Sequence, residues 1–548
     1  MDKSFIKQLS ESIRNNWDLP AFSNYLGETY KYSDFAERIV KIRLLLEAAE
    51  VKPGDKVALI GRNSAGWAMN FFSILSYGCV AVPILHDFKP TSIHHIINHS
   101  GAKALIVANS VWENLDISQL EELNLILRVD DIEVLYARRS KLRIPDLGER
   151  LFQKAFPYVL RFEDVRFHRD SPEELALISY TSGTSGFSKG VMLPYRAIWS
   201  NMKFGMDHLK VLKPGADVVS ILPMAHMYGL AFEVYTEVCL GCHVHFLTRN
   251  PSPRIIAETF QTYSPVLIIA VPLVLEKIVK KKVFPLLESN RFKLLSRIPL
   301  VREKLLGIIN KKLQRALGNN FYEIIVGGAA FNPEVESFLK KIKFPFTVGY
   351  GMTECAPLIT YSDWKTFREG SVGRVIDRME IRIDSSDPEH VVGEVQTRGD
   401  NVMLGYYHNE EATRNAFTAD GWLRTGDLGT IDAEGNLFIR GRSKNMLLGP
   451  SGQNIYPEEI EGALNARPFI SESLIVSRDD KLVALIHPDL ERMDSEGVTA
   501  DNISGILKKA IDEVNLEMPA YSKISSFQIY QDEFEKTPKR SIKRYLYQ

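Results

Sequence analysis

The stretch "YTSGTSGFSKGVML", residues 180–193, follows the apolar run "LALIS" and decides how the chain is organised. The apolar run predicts a buried strand, and the stretch after it predicts a polar loop. Glycines let backbone N–H groups approach a phosphate closely, hydroxyl groups add donors, and Lys189 adds a positive charge. Because Ser188 precedes Lys189 and Gly190 follows it, the loop does not match the Walker-type pattern. The stretch therefore indicates either an oxyanion site or an ordinary Ser/Thr/Gly-rich surface loop.

Strand-like runs alternate with helical stretches through most of the chain. The runs are "KVALIG", "AKALIV", "LALISY" and "VVSILP", and the helical stretches include residues 32–49 and 90–99. This alternation of strands and helices predicts an α/β architecture with largely parallel sheets. From about residue 390 the sequence pattern changes to short strand-like runs and glycine-rich turns, "GEVQTRGDNVMLGYY" and "DAEGNLFIRGRSK". These runs predict antiparallel pairing.

A chain of 548 residues exceeds what one hydrophobic core normally organises, so two or more domains are expected. We predict an N-terminal domain over residues 1–440 and a C-terminal domain over residues 441–548. The second part reads as a helix at "YPEEIEGALNA", strands at "SLIVS" and "LVALIHP", a helix near residues 501–515 and a strand at "ISSFQIY". The joining segment "IRGRSKNMLLGPSG" is charged and contains glycine, which is typical of a hinge.

The overall charge and the cysteine content limit the class of protein. The net charge of −1 excludes a general attraction to nucleic acid. The N-terminus "MDKSFIKQLSESIRNNWDLP" lacks the apolar core of a secretory signal, and the four cysteines fit a reducing compartment. The apolar stretch "VLIIAVPLVL", residues 266–275, is too short to cross a bilayer and predicts a buried strand and turn. We predict a cytoplasmic protein.

The segment "CLGCHVH" places Cys239, Cys242, His243 and His245 close together in sequence. These are zinc-ligand residue types, but a structural zinc site normally takes a second ligand pair from a distant segment. The apolar neighbours alternate, and we interpret the segment as a half-buried strand.

Further blocks follow in order. "GGAA", residues 327–330, comes after "YEIIV"; "VGYGMTE", residues 348–354, comes after another strand; and "GWLRTGDLG", residues 421–429, precedes "IRGRSK". This order resembles the adenylate-forming superfamily of acyl-CoA synthetases, firefly luciferase and nonribosomal peptide synthetase adenylation domains, from about Tyr30 to the C-terminus. The resemblance implies an α/β fold: a large N-terminal domain of stacked α/β subdomains plus a small β-barrel, followed by a smaller, mobile α+β lid.

The same resemblance implies a reaction in two steps and its cofactors. A carboxylate attacks the α-phosphate of ATP to give an acyl-adenylate and pyrophosphate, and a thiol, usually that of coenzyme A, then displaces AMP. ATP, Mg²⁺ and coenzyme A are therefore the expected cofactors and co-substrates. Both steps develop negative charge that donors and cations must stabilise.

Site residues carried over by resemblance bind the nucleotide and its metal. The β- and γ-phosphates would be held by Thr181, Ser182, Gly183, Thr184, Ser185, Gly186 and Lys189. Glu354, with Thr181, would hold Mg²⁺, because oxygen ligands suit that hard ion. The adenine slot would be formed by Tyr350, Gly351 and Met352, with Gly328 and Ala329 beside it.

The remaining implied residues act around the α-phosphate, the ribose and the acyl group. Thr353 would reach the α-phosphate, Asp427 would accept from the ribose hydroxyls, and Arg442 would bind the ribose or a phosphate. His226 in "LPMAHMYG" would lie near the acyl carboxylate, although a histidine between methionines is also an ordinary core residue. Lys444 stands at the hinge position, around which the lid would turn.

The chain departs from the family pattern near its C-terminus. In "FEKTPKRSIKRYLY" Ser541 occupies the position of the family's adenylation lysine. Lys539 and Lys543 flank it by two residues, so in an extended segment both lie on the same face, displaced by about 7 Å. Either lysine is a candidate to replace the missing cation, and without a replacement adenylation would be slow. Ser188 and Leu448 are lesser departures, at positions where relatives carry proline and lysine.

Residues 277–315 contain twelve basic residues, and leucines and isoleucines recur at helical spacing. A basic amphipathic helix pair suits an anionic membrane surface, and an ordinary helical layer with a solvated face is the alternative. We therefore expect a long- or medium-chain fatty acid substrate, and contact with the inner membrane surface through residues 276–315. Three alternatives stay open: a ligase that loads an acyl carrier protein, an adenylation-impaired protein that binds acyl-AMP, and an enzyme whose substrate is an aromatic acid or an amino acid.

Overall fold

The computed structural model describes residues 3–120, 122–181, 189–448, 453–478, 481–536 and 542–547. The first strands of the chain are β1 Pro20–Asn24, β2 Thr29–Lys31, β3 Lys56–Ile60, β4 Val80–Ile84, β5 Ala104–Val107, β6 Leu125–Arg128, β7 Val134–Ala137, β8 Leu175–Thr181, β9 Lys189–Pro194, β10 Asp217–Ser220, β11 His243–Phe246, β12 Ile268–Ala270, β13 Ile324–Val326 and β14 Phe346–Val348. The later strands are β15 Tyr350–Gly351, β16 Leu358–Tyr361, β17 Arg374–Val375, β18 Met379–Asp384, β19 Gly393–Gly399, β20 Gly405–Tyr406, β21 Leu423–Ile431, β22 Leu437–Arg442, β23 Leu447–Leu448, β24 Asn454–Ile455, β25 Ile470–Arg478, β26 Lys481–Pro488 and β27 Ile524–Ile529.

The α-helices follow the same chain order. They are α1 Phe5–Asn15, α2 Tyr32–Ala48, α3 Ala65–Tyr77, α4 Pro90–Ser100, α5 Asn109–Trp112, α6 Leu147–Ala155, α7 Tyr195–His208, α8 Met227–Leu230, α9 Thr236–Cys239, α10 Pro253–Tyr263, α11 Pro272–Ile278, α12 Phe284–Glu288, α13 Asn290–Leu295, α14 Pro299–Ala316, α15 Pro333–Lys341, α16 Glu410–Ala416, α17 Pro457–Asn465, α18 Leu490–Glu496 and α19 Ala500–Glu517. Helices α2 and α4 confirm the two helical stretches expected from the sequence.

The largest sheet has the strand order β20-β9-β8-β4-β3-β5-β6-β7. Its centre is parallel, because β4, β3, β5 and β6 pair side by side in the same direction. Residues 57–60 and 104–107 are buried throughout, as expected for strands covered on both faces. The predicted α/β architecture with parallel strands is therefore confirmed.

A second layer packs against this sheet through shared helices. It contains the sheet β10-β11-β1-β2 and the three parallel strands β12-β13-β14. Helix α3 lies in the core between elements and is buried along almost its whole length. Ser64 caps its N-terminus by accepting from Trp67 N–H, and Gly78 ends it in the left-handed conformation. An all-round apolar helix of this kind is stable only when other elements cover every face.

The expected antiparallel pairing is present between Tyr350 and Arg442. Strands β18, β19, β21 and β22 form an antiparallel sheet, and β15, β16 and β17 form a short antiparallel sheet beside it. The described strands of this region do not close into a hydrogen-bonded ring, so the small β-barrel of the expectation is represented by two open sheets. Strand pairs here are short and interrupted by register shifts, which leaves edges unpaired.

The C-terminal part has its own core. Strands β25, β26 and β27 form one sheet, and helices α17 and α19 cover it with Ile460, Leu464, Leu507 and Val514. The predicted helices and strands of this part are confirmed. The fold is thus a large N-terminal body with a smaller α+β C-terminal one. The boundary between residues 440 and 441, and the mobility of the lid, stay predictions.

Two apolar stretches differ from their predicted structure. In "VLIIAVPLVL" the strand is β12, but helix α11 begins at Pro272 where a turn was expected, because proline is well suited to the first helical turn. The basic block does not form a helix pair, because it runs through the end of α11, a π-helical segment at Val279–Val283 and the helices α12, α13 and α14. Among the helices of the described residues, none combines the length and the apolar composition needed to cross a membrane.

Candidate active site

Two loops of the candidate site leave the same edge of the sheet β12-β13-β14. Strands β13 and β14 are parallel and in register, with Val326 opposite Val348. The loop after β13 carries Gly328 and Ala329, both exposed. The residues from Tyr350 to Glu354 follow β14. Since carboxyl ends of parallel strands meet at one edge, the two predicted adenine-slot segments are brought together.

Tyr350 is joined to the predicted ribose-binding residues across a long stretch of chain. Its Oη donates to Asp427 Oδ2 at 2.6 Å. On the other side, Arg442 Nε donates to Asp427 Oδ1 at 2.8 Å, because β21 and β22 pair these residues directly. Burial raises the pKa of the Asp427 carboxyl, and the Arg442 cation opposes that shift. Both oxygens of this carboxylate are therefore held in place by the protein.

The flanks of the predicted phosphate loop meet the predicted metal ligand through a residue that sequence reasoning missed. Thr181 and Lys189 are direct register partners in β8 and β9. Lys189 Nζ lies 4.8 Å from the centre of the Tyr406 ring, and Tyr406 Oη donates to Glu354 Oε1 at 2.9 Å. Met403 N–H also donates to the Glu354 carbonyl at 2.9 Å. Residues 182–188, including the predicted Ser182 to Gly186, lie outside the described residues.

Electrostatic effects connect these groups into one cluster. Burial lowers the pKa of the Lys444 ammonium, and the cations of Arg442 and Lys189 act in the same direction. The Glu354 carboxylate in turn contributes to the raised pKa of Asp427. The charges of residues predicted for the phosphates, the metal, the ribose and the hinge therefore influence one another.

The chain matches known families over most of its length. A model described as AMP-binding enzyme matches residues 9–407, and one described as AMP-binding enzyme C-terminal domain matches residues 445–547. The chain belongs to the AMP-binding enzyme family. The resemblance drawn from the sequence blocks is thereby confirmed at the level of the family.

Curated relatives of this AMP-binding enzyme include fatty acid ligases. A long-chain-fatty-acid–CoA ligase of Escherichia coli O157:H7 is 28% identical over 497 residues, which cover 86% of this chain and 82% of that protein. Long-chain-fatty-acid–CoA ligase 1 of Saccharomyces cerevisiae is 25% identical over 541 residues, covering 89% and 76%.

Solved structures share the fold of this AMP-binding enzyme. ATP-bound MatB of Rhodopseudomonas palustris superposes with a TM-score of 0.76 at 21% identity, covering 100% of this chain and 98% of that chain. The o-succinylbenzoate coenzyme A synthetase of Bacillus subtilis, solved with ATP and magnesium, gives a TM-score of 0.75 at 20% identity, covering 98% of each chain.

Close neighbouring atoms explain why glycine stands at Gly351 and Gly327 of this AMP-binding enzyme. A Cβ on Gly351 would lie 2.0 Å from the Pro357 carbonyl oxygen, so no larger residue fits without moving the backbone. A Cβ on Gly327 would lie 3.1 Å from the Tyr228 ring, whose Oη donates to Ile325 O at 3.0 Å. His226 immediately precedes helix α8, two residues before Tyr228.

Of the two candidate C-terminal lysines, the structure describes only Lys543, which pairs within the C-terminal part. Lys543 Nζ lies 3.0 Å from Glu535 Oε2, and its backbone N–H donates to Glu535 O at 2.8 Å. Hydrogen bonding to Glu535 raises the pKa of Lys543. Lys539 and Ser541 lie outside the described residues. The site therefore consists of residues that already contact one another and a C-terminal hairpin residue engaged with its own domain.

The segment "CLGCHVH" is a strand only from His243 onward. Cys239 ends helix α9, and Gly241 turns the chain with a φ of +81° before β11. The interpretation of the whole segment as one strand is therefore wrong, because this turn interrupts it. His245 Nε2 lies 2.7 Å from Asp217 Oδ1, and the ligand-type atoms of His243, His245 and Asp217 lie within 4.8 Å of one another. Among the described residues the cysteines do not join this group.

Proposed function

We propose that this AMP-binding enzyme activates a long- or medium-chain fatty acid with ATP and transfers the acyl group to coenzyme A. In the first step the carboxylate attacks the α-phosphate of ATP, forming acyl-AMP and releasing pyrophosphate. In the second step the thiol of coenzyme A attacks the acyl carbon and releases AMP. The observation that carries the proposal is the contact of Lys189 and Glu354 with the same tyrosine, Tyr406.

Each residue of the cluster would bind a different part of the substrates, according to its chemistry. Lys189 and the hydroxyl of Thr181 would bind the β- and γ-phosphates, and Thr353 would donate to the α-phosphate, where charge develops. Asp427, held between Tyr350 and Arg442, would accept from the ribose hydroxyls. His226 would contact the acyl carboxylate. Each of these groups acts by binding, orienting or neutralising rather than by forming a covalent bond.

The donor set next to the phosphate-binding residues fits Mg²⁺. The Glu354 carboxylate and the Thr181 hydroxyl supply hard oxygen ligands, and Mg²⁺ usually takes few protein ligands together with substrate phosphates. Bound there, the ion would neutralise charge on the triphosphate. Tyr406 leaves Oε2 of Glu354 available while it holds Oε1 in place.

Support for the fatty acid comes from two directions. Curated relatives at 28% and 25% identity are named long-chain-fatty-acid–CoA ligases. The chain also carries a basic and apolar helical surface, α12–α14, that suits a lipid-derived substrate. Structures with the same fold are named for other acids, including anthranilate and o-succinylbenzoate, so the acid is the part of the proposal that most needs measurement.

The decisive experiment measures pyrophosphate release and acyl-CoA formation by the full chain over a panel of acids. The panel contains octanoate, palmitate, oleate, anthranilate, o-succinylbenzoate and alanine, each with and without coenzyme A. We expect pyrophosphate release with the fatty acids and acyl-CoA only when coenzyme A is added. Turnover of an aromatic acid in preference to every fatty acid contradicts the proposed substrate and leaves the acid–CoA ligase assignment intact.

A second candidate function, an acyl-adenylate-binding protein with impaired adenylation, is favoured by Ser541 and by the Lys543–Glu535 ion pair. It predicts binding of a non-hydrolysable acyl-AMP analogue without pyrophosphate release from any acid. A carrier-loading ligase differs again, because it releases pyrophosphate and transfers the acyl group to holo-acyl carrier protein rather than to coenzyme A.

A further inference from the structure

An apolar segment of the chain is left uncovered by the protein's own core. Between Val283 and Leu313 the structure describes no buried side chain, although the sequence there includes phenylalanines, leucines and isoleucines. Helix α3, which carries no charged residue, is buried almost completely. Helices α12–α14 combine their apolar residues with many cations, and only a few of their side chains pack against the main core.

The inner side of this segment is anchored by a few contacts. Phe284, Leu287, Leu306 and Ile309 pack against the main core, and the Phe284 and Phe338 rings lie 5.6 Å apart. The outer side shows large aliphatic residues that are half exposed or more, with exposed fractions from 47% to 75%. We call these residues the outer apolar surface: Leu286, Leu294, Leu295, Ile298, Leu300 and Ile308.

Exposed cations surround the outer apolar surface. Within the described part of the chain, no carboxylate forms an ion pair with any of seven exposed basic residues of the same segment. These are Lys293, Arg297, Arg302, Lys304, Lys311, Lys312 and Arg315. Apolar side chains interleaved with unpaired exposed cations are typical of a helix that lies in the plane of an anionic membrane surface.

The first basic residues of the block contact the C-terminal part and do not surround the outer apolar surface. Lys280 Nζ donates to the Asn465 carbonyl at 2.9 Å, and Lys281 forms an ion pair with Glu491. Glu288 lies 3.3 Å from Arg492 Nη2. These residues join the π-helical segment Val279–Val283 and helix α12 to the C-terminal part, so we restrict the surface predicted over residues 276–315 to residues 286–315.

We propose that the outer apolar surface and its surrounding cations dock this enzyme on an anionic lipid bilayer. The aliphatic side chains enter the boundary between headgroups and acyl chains, and the basic residues bind the anionic headgroups. Exposed apolar patches of this kind mark interaction sites, and the net positive charge selects an anionic partner over a neutral one. The delivery of a membrane-dissolved fatty acid to the site rests on the proposed function, whereas the docking itself does not.

The test uses flotation of the full chain with vesicles of phosphatidylcholine alone or mixed with phosphatidylglycerol. We expect binding to the anionic vesicles only, weakened by salt because charge attraction is screened. Lys311→Gln/Lys312→Gln should weaken binding about tenfold or more, since each basic residue near the surface contributes about 1 kcal/mol. Lys508→Gln/Lys509→Gln, on exposed positions of α19, is the matched control and should bind like the wild type.

The apolar contribution is tested with Leu300→Glu, at a residue that is 75% exposed, against Leu516→Glu, at one that is 84% exposed. Only Leu300→Glu should lose vesicle binding, and both variants should keep wild-type turnover of octanoate without vesicles. Equal binding to neutral and anionic vesicles, or loss in the Leu516 variant alone, overturns the proposal. So does sedimentation showing a wild-type dimer that Leu300→Glu dissociates, because the surface then belongs to a second copy. Vesicle binding with no turnover of any acid separates this inference from the proposed function, which alone would fail.

Discussion

The cluster around Asp427 and Glu354 and the C-terminal segment around Lys543 differ in where their polar side chains find partners. Tyr350, Asp427 and Arg442 contact one another across different strands, and Lys189 and Glu354 meet at Tyr406. In the hairpin, Lys543 pairs with Glu535 and Lys536 pairs with Glu472, all within the C-terminal part. In the proposed site the nucleotide-binding residues therefore already contact one another, whereas Lys543 would need a movement to reach them.

This difference teaches how the two proposed half-reactions can be separated. Changes in the large-domain cluster should impair nucleotide binding and both steps. Changes in the hairpin should impair only adenylation, because the thiol step does not need a cation on the departing pyrophosphate. Five measurements test this difference between the two regions.

Glu354→Gln should give the largest loss. It removes the carboxylate that would hold Mg²⁺ while keeping a side chain of the same size, and pyrophosphate release should fall about 10²–10³-fold, as for removal of one charge-stabilising group. The far-UV spectrum and melting temperature should stay unchanged. A variant with wild-type turnover and unchanged Mg²⁺ dependence would remove Glu354 from the site.

Lys539→Ala and Lys543→Ala address the hairpin. We expect one of the two variants to lose pyrophosphate release about 10²-fold or more, because we predict that one of these lysines replaces the cation missing at Ser541. The same variant should still convert synthetic acyl-AMP and coenzyme A to acyl-CoA at the wild-type rate. Full activity in both variants contradicts the replacement, and Ser541→Lys then shows whether restoring the cation raises the rate.

Asp427→Asn tests the preassembled ribose pair. The substitution keeps an acceptor for Tyr350 and removes the charge that Arg442 balances. Hydrogen bonds to charged groups are worth about 1.5–3 kcal/mol, so the KM for ATP should rise about tenfold or more. Tyr350→Phe is the matched control, because it removes one partner of the carboxylate and should produce a smaller rise. A KM change for the fatty acid alone would contradict the ribose role.

Tyr406→Phe tests the bridge between phosphate loop and metal ligand. The ring stays beside Lys189, whereas the hydrogen bond to Glu354 is lost. The Mg²⁺ concentration for half-maximal rate should rise several-fold, with little change at saturating Mg²⁺. Tyr407→Phe, at the adjacent position, serves as the control. An equal loss at every Mg²⁺ concentration indicates a structural rather than a positioning effect.

Two buried glutamates, one in each part of the molecule, allow the pH dependence of stability to be compared. Both carboxylate oxygens of Glu237 are buried and without a hydrogen-bond partner among the described residues, and burial raises its pKa to about 8. Glu461 in the C-terminal part is also buried, with a pKa of about 7, but it accepts from Ile475 N–H at 2.7 Å and pairs with Arg544.

The raised pKa of Glu237 gives stability that is full below the pKa of the unfolded carboxyl, about 4.3, and is lost as pH rises through about 8. Glu237→Gln keeps the neutral form, so its melting temperature should exceed that of the wild type by more at about pH 8 than at about pH 5. The pKa of Glu461 is raised less, to about 7, so the same difference between the two pH values should be smaller for Glu461→Gln. A pH-independent difference for Glu237→Gln would contradict this account.

Much of the fold could be predicted because buried parallel strands require continuous apolar runs. "KVALIG" and "LALISY" form β3 and β8, and the blocks after strands place Gly328, Tyr350 and Glu354 at strand ends where ligands bind. Periodicity also predicted α2 and α19 to within a few residues. These features are local, and local sequence patterns determine them.

The missed features depend on contacts between distant segments. Tyr406 meets Glu354 because the two-residue strand β20 pairs Gly405 with Met192, and so short a strand has no periodicity to detect. The turn at Gly241 interrupts an alternating pattern that continues on either side of it. Likewise, basic composition predicted one amphipathic surface, whereas Lys280 and Lys281 are engaged by the C-terminal part.

The register of β8 and β9 has a consequence for protein engineering. Because Thr181 and Lys189 face each other across the ladder, the peptide between them begins and ends at neighbouring points on a rigid sheet. Inserting or deleting residues between them would leave both anchor positions where they are. The segment between Thr181 and Lys189 can therefore be exchanged for that of another ligase without changing the position of Lys189. Segments of different length can be screened on the same unchanged sheet.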